Sequence, residues 1–213
     1  MTSPLPTAGT PTTRGRFVTL EGGEGAGKTT QVRLLADALC ARGIPALRTR
    51  EPGGAPGAEL LRTLLLSGQI AWSPQAETLL HFVARAEHVA KTIRPALEAG
   101  MWVICDRFYD STMAYQGDGQ GADKDLIRAQ IGLLGVKPDV TLVLDVSAVV
   151  RSVRLRQRGG DSDRYEREDA AFHARVNAGF QAIAQAEPDR CRVVSADGTE
   201  QEVHAAILAA IGL

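Results

Sequence analysis

The sequence predicts a three-layer α/β fold, in which helices cover both faces of a five-stranded parallel sheet. Short apolar runs rich in β-branched residues recur along the 213 residues, and longer segments with apolar residues three and four positions apart separate them. Runs of the first kind are typical of parallel strands buried on both faces, and segments of the second kind are typical of helices packed on a sheet. Open parallel sheets bind ligands at the carboxyl ends of their strands, so site residues are expected directly after the apolar runs.

Five runs are predicted as strands and seven segments as helices. The strands are Phe17 to Leu20, Ala46 to Thr49, Trp102 to Cys105, Val140 to Val146 and Val193 to Ser195. The helices are Lys28 to Ala41, Ala58 to Leu66, Pro74 to Ala99, Lys124 to Leu134, Ala148 to Arg156, Glu168 to Glu187 and Glu200 to Ile211. Because no internal repeat or linker divides the chain, residues 16–213 are predicted to form one domain.

The composition excludes several classes of protein. Lysine and arginine total 24 against 25 acidic residues, which excludes the global basic field that holds a protein on polymeric nucleic acid or an anionic membrane. Residues 1–15 are rich in threonine and proline and predict a disordered tail. No apolar run approaches the ~20 residues that span a bilayer. We therefore expect a soluble, cytoplasmic protein in which any phosphate binding is local.

A glycine-rich loop follows the first predicted strand. Residues 22–29 read GGEGAGKT, which fits the phosphate-binding pattern GxxxxGK[ST] and stands between a strand and a helix, as that pattern requires. Glycines let successive backbone N–H groups face one anion, and the following helix adds its positive dipole end. Lys28 is expected to reach the β- and γ-phosphates, and the Thr29 hydroxyl to bind Mg²⁺. The expected ATP-binding residues are Gly22, Gly23, Glu24, Gly25, Ala26, Gly27, Lys28, Thr29 and Thr30.

This loop alone does not fix the function. A glycine-rich turn before a helix is the plain structural alternative, although a chance fit to four specified positions in this context is rare. Switches, motors, transporters and kinases all use the loop. The pattern therefore predicts a nucleotide triphosphate site on a P-loop fold, without its reaction.

The third predicted strand ends on Asp106, Arg107 and Phe108. An arginine fork suits a phosphate dianion, because it makes two parallel charge-assisted hydrogen bonds. Asp106 is expected to hold waters on Mg²⁺ or to orient Arg107. The alternative is a structural Asp–Arg pair at the end of the strand.

From about Arg16 onward, the chain resembles the bacterial thymidylate kinase family. Residues 49–54 read TREPGG, residues 106–108 match the family's Asp-Arg-aromatic motif, residues 111–117 read STMAYQG, and residues 79–88 are similar to the family's run LLFxAxRxxH. The resemblance implies a P-loop kinase fold with a short mobile lid and transfer of the γ-phosphoryl group of ATP to dTMP with Mg²⁺. It also implies a homodimer packed through helices, to which the segment from Pro74 to Ala99 contributes.

The resemblance also implies which residues bind dTMP. Glu24 takes the place of a carboxylate that approaches the 3'-hydroxyl of the acceptor sugar, and Arg85 that of an arginine that meets the acceptor phosphate. The family usually has phenylalanine stacking on thymine at position 81, so either His81 or the adjacent Phe82 is left to stack on the base. The full set is Glu24, Arg50, Pro52, His81, Phe82, Arg85, Arg107, Ser111, Thr112, Tyr115 and Gln116.

A charged segment, about 156–166, resembles the lid of these kinases and ends in their DRxE pattern. Taken alone, such a segment is typical of a solvated surface. The loop at 24–26 has no arginine, and family members of that type supply the arginine from the lid, where cations stabilise the transferred group. The expected catalytic residues are Lys28, Arg107, Arg156, Arg158 and Arg164, and the expected metal residues are Thr29, Asp106 and Glu166.

Two other functions stay open. A deoxynucleoside kinase also combines a P-loop, an Asp-Arg motif and an arginine lid, although TREPGG and Arg85 favour a monophosphate acceptor. A nucleotide-dependent switch would turn over ATP without any acceptor. Formation of ADP with ATP alone, with dTMP and with thymidine separates the three.

Overall fold

The computed structural model describes residues 14–158 and 164–213, without the side chain of Arg158. Within these ranges the core is a sheet of five parallel strands in the order β2-β3-β1-β4-β5, which confirms the predicted sheet. The strands are β1 (Phe17–Glu21), β2 (Ala46–Arg50), β3 (Trp102–Asp106), β4 (Val140–Asp145) and β5 (Cys191–Ser195).

Helices surround the sheet. The α-helices are α1 (Lys28–Ala41), α2 (Pro56–Leu66), α3 (Pro74–His88), α4 (Arg94–Glu98), α5 (Tyr109–Thr112), α6 (Lys124–Leu133), α7 (Ala148–Arg158), α8 (Ala170–Ala186) and α9 (Glu200–Ile211). Two π-helical turns, Val89–Ile93 and Met113–Gly119, extend α3 and α5, and Tyr165–Arg167 forms a 3-10 turn. Local sequence signals mark the ends of several α-helices. At the start of α9, for example, Thr199 and Glu202 form a capping box, in which the side chain of each accepts a hydrogen bond from the backbone N–H of the other.

Hydrophobic clusters hold the helices on the sheet, and two of them show how its two faces are covered. One contains Leu35 of α1 and Ile207 of α9, packed with Ile104 of β3, and all three are fully buried. The neighbouring Val103 belongs to the second cluster, with Phe17. Consecutive strand residues enter different clusters because side chains alternate between the faces of a sheet. Each large aliphatic or aromatic side chain buried in this way contributes ~1.5–3 kcal/mol.

The order of the strands creates a crevice next to β1. The chain leaves β1 for the edge strand β2, whereas it leaves β3 for β4 on the other side of β1. Loops on the two sides of such a reversal diverge and leave room for a ligand at the carboxyl ends of the strands. The loops after β1 and β3 are those that carry the glycine-rich pattern and Arg107, so the topology brings the two motifs together.

Apart from bounds that shift by one or two residues, two helical segments differ from those predicted. The predicted helix from Pro74 to Ala99 contains the π turn Val89–Ile93, two residues before Pro95, whose missing N–H disturbs the α-helical ladder. The segment Tyr109–Gly119 is helical although it was not predicted to be, because its two glycines are typical of a loop.

Two predicted segments, the N-terminal tail and the lid, fall partly outside the described residues. The predicted tail, residues 1–15, lies outside them up to residue 13, whereas Arg14 forms an ion pair with Asp139 at 3.1 Å. The predicted lid, about 156–166, includes residues 159–163, which also lie outside them. No helix in the described ranges is both long enough and apolar enough to cross a membrane.

Candidate active site

The loop after β1 curls around Lys28. Gly22 has a φ of 133°, and a Cβ at this position would lie 2.5 Å from the carbonyl oxygen of Leu144, so the loop passes β4 only with glycine here. Gly27, with a φ of 84°, directly precedes α1. The Lys28 ammonium donates to the carbonyl oxygens of Gly22 at 3.0 Å and Gly23 at 2.7 Å. The loop thereby holds a cation at the N-terminus of a helix.

This end of the site favours an anion. Lys28 is 6% exposed, and burial, followed by the charge of Arg107, lowers its pKa. Helix α1 begins at Lys28, so its first N–H groups also face the loop. A bound phosphate would counter the cost of burying the lysine charge and would use these N–H groups.

Thr29 and Asp106 bring a hydroxyl and a carboxylate together. Thr29 Oγ1 donates to Asp106 Oδ2 at 2.6 Å, across the gap between α1 and β3. Mg²⁺ prefers oxygen ligands and usually takes one or two carboxylates from the protein, most of the others being water and substrate phosphates. Among the described residues, no cluster of three or more His, Cys, Asp or Glu side chains could hold a metal ion alone. The pair therefore fits Mg²⁺ that is shared with a nucleotide.

Arg107 has a strained backbone that its neighbours hold in place. Its φ is 70°, a left-handed conformation that residues other than glycine rarely adopt. Its N–H donates to the carbonyl oxygen of Leu20, and the next N–H, that of Phe108, donates to the Glu21 carboxyl group at 2.7 Å. The Ser111 hydroxyl donates to the second oxygen of Glu21 at 2.5 Å. Strain that is held in this way is common at functional sites.

The side chain of Arg107 reaches into the middle of the site. Its Nη2 donates to Glu24 at 2.5 Å and to the Tyr115 hydroxyl at 3.1 Å. Its Nη1 donates to the carbonyl oxygen of Gly22 at 3.0 Å and to Ser111 at 3.2 Å. Burial alone would lower its pKa, but Glu24 and other nearby acidic groups outweigh burial and raise it, so the guanidinium is charged. Arg107 therefore joins the glycine-rich loop to the residues predicted to bind the acceptor.

Glu51 and Arg85 form a buried ion pair beside Arg107. Arg85 Nε donates to Glu51 Oε2 at 2.6 Å, and each side chain is 3% exposed. Arg85 Nη2 donates to the carbonyl oxygen of Phe108 at 3.1 Å, and His88 Nδ1 lies 2.9 Å from Glu51 Oε1. The third nitrogen, Nη1, is buried and has no hydrogen-bond partner in the described part of the chain. A buried unpaired donor costs ~1–3 kcal/mol, which makes Nη1 a candidate donor to a ligand oxygen.

His81 forms an aromatic wall at the far end of the site. Its Nε2 lies 2.9 Å from the Tyr165 hydroxyl, which donates to Glu77 at 2.7 Å and accepts from Gln116 at 3.1 Å. Burial, followed by the charge of Arg85, lowers the pKa of His81 to about 4. The ring is therefore neutral near pH 7 and suits contact with an uncharged base.

A continuous cavity of about 610 Å³ connects these groups, a volume typical of ligand sites. It extends from the glycine-rich loop past Arg107 to His81. The residues predicted from the sequence that line it are Glu24, Gly25, Ala26, Gly27, Lys28, Thr29, Thr30, Arg50, Pro52, His81, Arg85, Asp106, Arg107, Ser111, Thr112, Tyr115, Gln116 and Glu166.

Phe82 does not line the cavity, although it was predicted to contact the nucleotide. It is 4% exposed, belongs to the second hydrophobic cluster and packs under the Arg85 guanidinium at 4.9 Å. One residue along a helix turns the side chain by ~100°, so His81 faces the cavity while Phe82 faces the core. Of the two rings left open by the sequence, His81 is the one at the site.

The predicted lid arginines are not gathered at the cavity. Arg164 forms an ion pair at 2.5 Å with the fully buried Glu77, and Arg156 is exposed on α7. Neither lines the cavity, and the side chain of Arg158 lies outside the described residues. Gly22 and Gly23 do not line it either, and their carbonyl oxygens accept hydrogen bonds from Lys28.

Arg154, which was not predicted, takes the place expected of Arg156. It lines the cavity, and its Nη1 and Nη2 donate to the carbonyl oxygens of Gly25 at 3.4 Å and Gly198 at 2.9 Å. Positions 154 and 156 differ by ~200° around a helix, so only one of them can face the loop. The sequence alone did not mark Arg154, because Val149 and Val153 are as apolar as Val150 but are exposed, and only Val150 packs on the core.

Three buried carboxyl groups were also missed. Glu21 is fully buried, and burial, followed by the charge of Asp110, raises its pKa to about 8. An acidic residue at the end of a buried strand was a detectable signal for Glu21, and its place in TREPGG was one for Glu51. Glu77 had no such signal, because its partners come from distant segments.

Comparison with known proteins gives one consistent result. The family model described as thymidylate kinase matches residues 20–207. A thymidylate kinase of Rhizorhabdus wittichii is 52% identical over 201 residues, covering 92% of this chain and 97% of that protein. One of Gluconobacter oxydans is 52% identical over 202 residues, covering 93% and 94%. The crystal structure of thymidylate kinase from Ehrlichia chaffeensis has a TM-score of 0.78 and 36% identity, covering 93% of this chain and 99% of that chain.

Proposed function

Because the chain belongs to the thymidylate kinase family, we propose that it transfers the γ-phosphoryl group of ATP to dTMP and forms ADP and dTDP. The observation that carries this proposal is the continuous cavity from the Lys28 loop to the His81 wall, with Arg107 between them. Phosphoryl transfer needs the donor and the acceptor roughly in line. A cavity with an anion site at one end and a neutral aromatic wall at the other suits that arrangement.

The donor end binds ATP through Lys28 and the first turn of α1. On binding, the lysine exchanges its bonds to Gly22 and Gly23 for the β- and γ-phosphates. Thr29 and Asp106, with Glu166 at the edge of the cavity, are the residues that would hold Mg²⁺. Bound Mg²⁺ neutralises charge on the donor phosphates.

The acceptor end binds dTMP through Arg107, Arg85 and His81. Arg107 presents a charged fork to the phosphate, and Glu24, now bonded to that fork, turns to the 3'-hydroxyl of the sugar. His81 stacks on the base. Arg85 contributes its unpartnered Nη1. The sequence predicts that Arg85 meets the acceptor phosphate. Because Arg85 lies one helical turn from His81, its Nη1 can reach an oxygen of the base as well.

The variant Arg85→Met decides between these two positions of Nη1. If Nη1 meets the phosphate, the variant weakens the binding of dTMP and leaves that of thymidine unchanged. If it meets the base, binding of both falls by a similar factor. Calorimetry with each ligand measures the two dissociation constants.

The chemical step needs no general base, because the acceptor phosphate is already an anionic nucleophile. The reaction passes through a loose transition state whose charge is spread over the equatorial oxygens, so cations placed around the transferred group lower the barrier most. Lys28, Arg107 and the arginines of the lid segment provide this charge. Arg154 lies at the cavity already, and Arg156, Arg158 and Arg164 stay candidates.

A homodimer in the cytoplasm completes the proposal. Helices α2 and α3 pack side by side through Ala58 and Ala84, and their outer surface exposes a group of aliphatic side chains. These are Leu60, 76% exposed, Val83, 56%, Leu79, 39%, and Leu64, 36%. Exposed apolar patches of this kind are typical of protein interfaces.

One assay tests the function against its alternatives. ADP formation is followed with ATP alone and then with dTMP, dUMP, dCMP or thymidine added. We expect dTMP to accelerate ADP formation by at least two orders of magnitude over ATP alone. Acceleration by thymidine and not by dTMP would indicate a deoxynucleoside kinase, and turnover independent of any acceptor would indicate a switch.

A further inference from the structure

The Tyr165 hydroxyl is the centre of a buried hydrogen-bond cluster at the acceptor end of the cavity, which Tyr165 lines together with His81 and Gln116. Its oxygen lies 2.7 Å from Glu77 Oε1, 3.1 Å from Gln116 Nε2 and 2.9 Å from His81 Nε2. Tyr165 is 6% exposed and Glu77 is fully buried. Three segments far apart in the sequence therefore meet at one hydroxyl group.

Glu77 fixes the direction of the tyrosine proton. Burial alone would raise the pKa of Glu77, but hydrogen bonds from Tyr165, Gln116 and Gln120 outweigh burial and lower it. The group is therefore an ionised carboxylate, which can only accept hydrogen bonds. Its Oε1 lies 2.7 Å from the Tyr165 oxygen, so the hydroxyl proton is directed to Glu77.

The direction of the Tyr165 hydrogen bond determines which nitrogen of the neutral His81 ring carries the proton. Because the Tyr165 hydroxyl donates its one proton in the hydrogen bond to Glu77, its oxygen can only accept hydrogen bonds from other groups. One lone pair accepts from Gln116 Nε2–H, and His81 Nε2 can approach the other only as an N–H donor. The neutral imidazole is therefore the Nε2–H tautomer, and its ring is held at one end by the tyrosine.

We propose that Tyr165 is a positioning residue for the acceptor base, which acts by holding the His81 ring in one tautomer and one orientation. This inference deepens the proposed function and rests on it. Gln116 does not need Tyr165 in the same way, because its Nε2 also donates to Glu77 at 2.9 Å. The phenylalanine that the family usually has at position 81 could not form a hydrogen bond with Tyr165. The bond is therefore possible only because this chain has histidine there.

Steady-state kinetics of Tyr165→Phe test the proposal. The variant keeps the aromatic ring and removes the hydroxyl, so KM for dTMP is expected to rise about fivefold, the effect of one net hydrogen bond. We expect kcat and KM for ATP to change less than twofold, because the side-chain hydrogen bonds that Lys28 and Arg107 donate within the described residues go to groups other than Tyr165. Tyr109→Phe is the matched control, since Tyr109 is also buried but does not line the cavity. A Tyr165→Phe variant that changes all three constants alike would overturn the proposal.

A double-mutant cycle shows whether the effect passes through His81. In a His81→Phe background no imidazole remains to be held, so adding Tyr165→Phe is expected to change KM for dTMP less than twofold. A further fivefold rise in that background would mean that Tyr165 acts by another route, and the proposal would be wrong.

Nitrogen-15 NMR of the imidazole tests the same geometry without activity. His81 is expected to show the Nε2–H tautomer in the wild-type chain and a mixture of tautomers in Tyr165→Phe. If the tautomer is unchanged in the variant while dTMP-dependent turnover is normal in the wild type, this inference alone fails. If the wild type shows no dTMP-dependent turnover, the proposed function fails, and the NMR result still reports on the hydrogen bond.

Discussion

The strained backbone of Arg107 places its charged side chain in the middle of the site. The left-handed φ of 70° turns the guanidinium toward Gly22 and Glu24, and Glu21 holds the next residue's N–H so that the strain persists. Non-glycine residues in this conformation cost ~1–3 kcal/mol, so the surrounding bonds have to over-determine it. The charge and the position of this one residue are therefore fixed before any ligand binds.

Arg107→Lys is expected to lower kcat/KM for dTMP about 10- to 100-fold. Lysine is a point charge that cannot reproduce the bidentate fork, and a lost charge-assisted bond costs ~1.5–3 kcal/mol. Steady-state kinetics with dTMP varied at saturating ATP measure the effect. The control is Arg128→Lys, at a side chain that is 63% exposed on α6. A loss below threefold at position 107 would show that the fork is not used.

The buried Glu21 gives the stability a defined pH dependence. Its pKa is about 8 in the folded chain against 4.5 for the ordinary group, so between these values the folded state keeps a proton that the unfolded state has lost. The contribution of Glu21 to stability is therefore complete below pH 4.5 and is lost as the pH rises toward 8.

Glu21→Gln is expected to flatten this dependence, because glutamine imitates the protonated acid and has no proton to lose. Urea denaturation at pH 5.5, 7 and 8 measures the free energy of unfolding of the variant and of the wild type, and Glu98→Gln controls for the same substitution at an exposed position. If Glu21→Gln and the wild type change in parallel across this range, the raised pKa is contradicted.

At the residue scale, the sequence predicted the side chains that stand in motifs and missed those that support them. Arg107 directly follows β3, and Lys28 and Thr29 follow the glycine-rich loop after β1, so their place at the crevice could be predicted. The choice between His81 and Phe82 could not, because it depends on which face of α3 meets the core.

The rotation of helix α7 about its axis decides which of its arginines faces the cavity. Arg154 lines the cavity and contacts the loop at Gly25, whereas Arg156 is exposed on another face of the same helix. The choice is made by the packing of Val150 on the core, which fixes the rotation of the helix.

The two arginines therefore form a matched pair of variants. Arg154→Gln is expected to raise KM for ATP at least fivefold, because it removes a cation beside the donor loop, and Arg156→Gln is expected to change it less than twofold. Kinetics with ATP varied at saturating dTMP measure both. If Arg156→Gln proves the more damaging, the rotation of α7 seen here is not the one that operates during catalysis.

Among the elements, those with clear ends were predicted best. Helices Lys28–Ala41 and Glu200–Ile211 were predicted at both bounds, because a glycine-rich loop and a capping box mark their starts. The π turn Met113–Gly119 was missed, since its glycines are typical of loops and its helical state depends on packing against α8, where Phe172 lies close to Gly119.

At the scale of the whole molecule, the outer surface of α2 and α3 is the proposed dimer interface. Leu60→Glu combined with Val83→Glu places two charges on that surface, and burying them in an interface would cost several kcal/mol. Sedimentation equilibrium is expected to give twice 22.7 kDa for the wild type and 22.7 kDa for the variant. Leu133→Glu, at an 80% exposed position of α6, is the control and should stay dimeric. A monomeric wild type would exclude this interface.

The topology explains why the sequence could predict the site as a whole. Two motifs about 80 residues apart meet because β1 and β3 are neighbours in the sheet and the order of strands reverses between them. The cluster around Glu77 was beyond prediction, because it joins α3, the π turn after α5 and the turn at Tyr165 through side chains alone. The strands and the motifs that follow them can be predicted from local patterns, whereas such a cluster follows only from the packed fold.

Direct transfer of label tests the central claim. The chain is incubated with Mg²⁺, dTMP and ATP labelled at the γ-phosphate, and the products are separated by chromatography. The proposal predicts that the label leaves ATP and appears in dTDP, one for each ADP formed, and that Lys28→Met abolishes the transfer. Label that appears only as inorganic phosphate, at a rate unaffected by dTMP, would contradict the account.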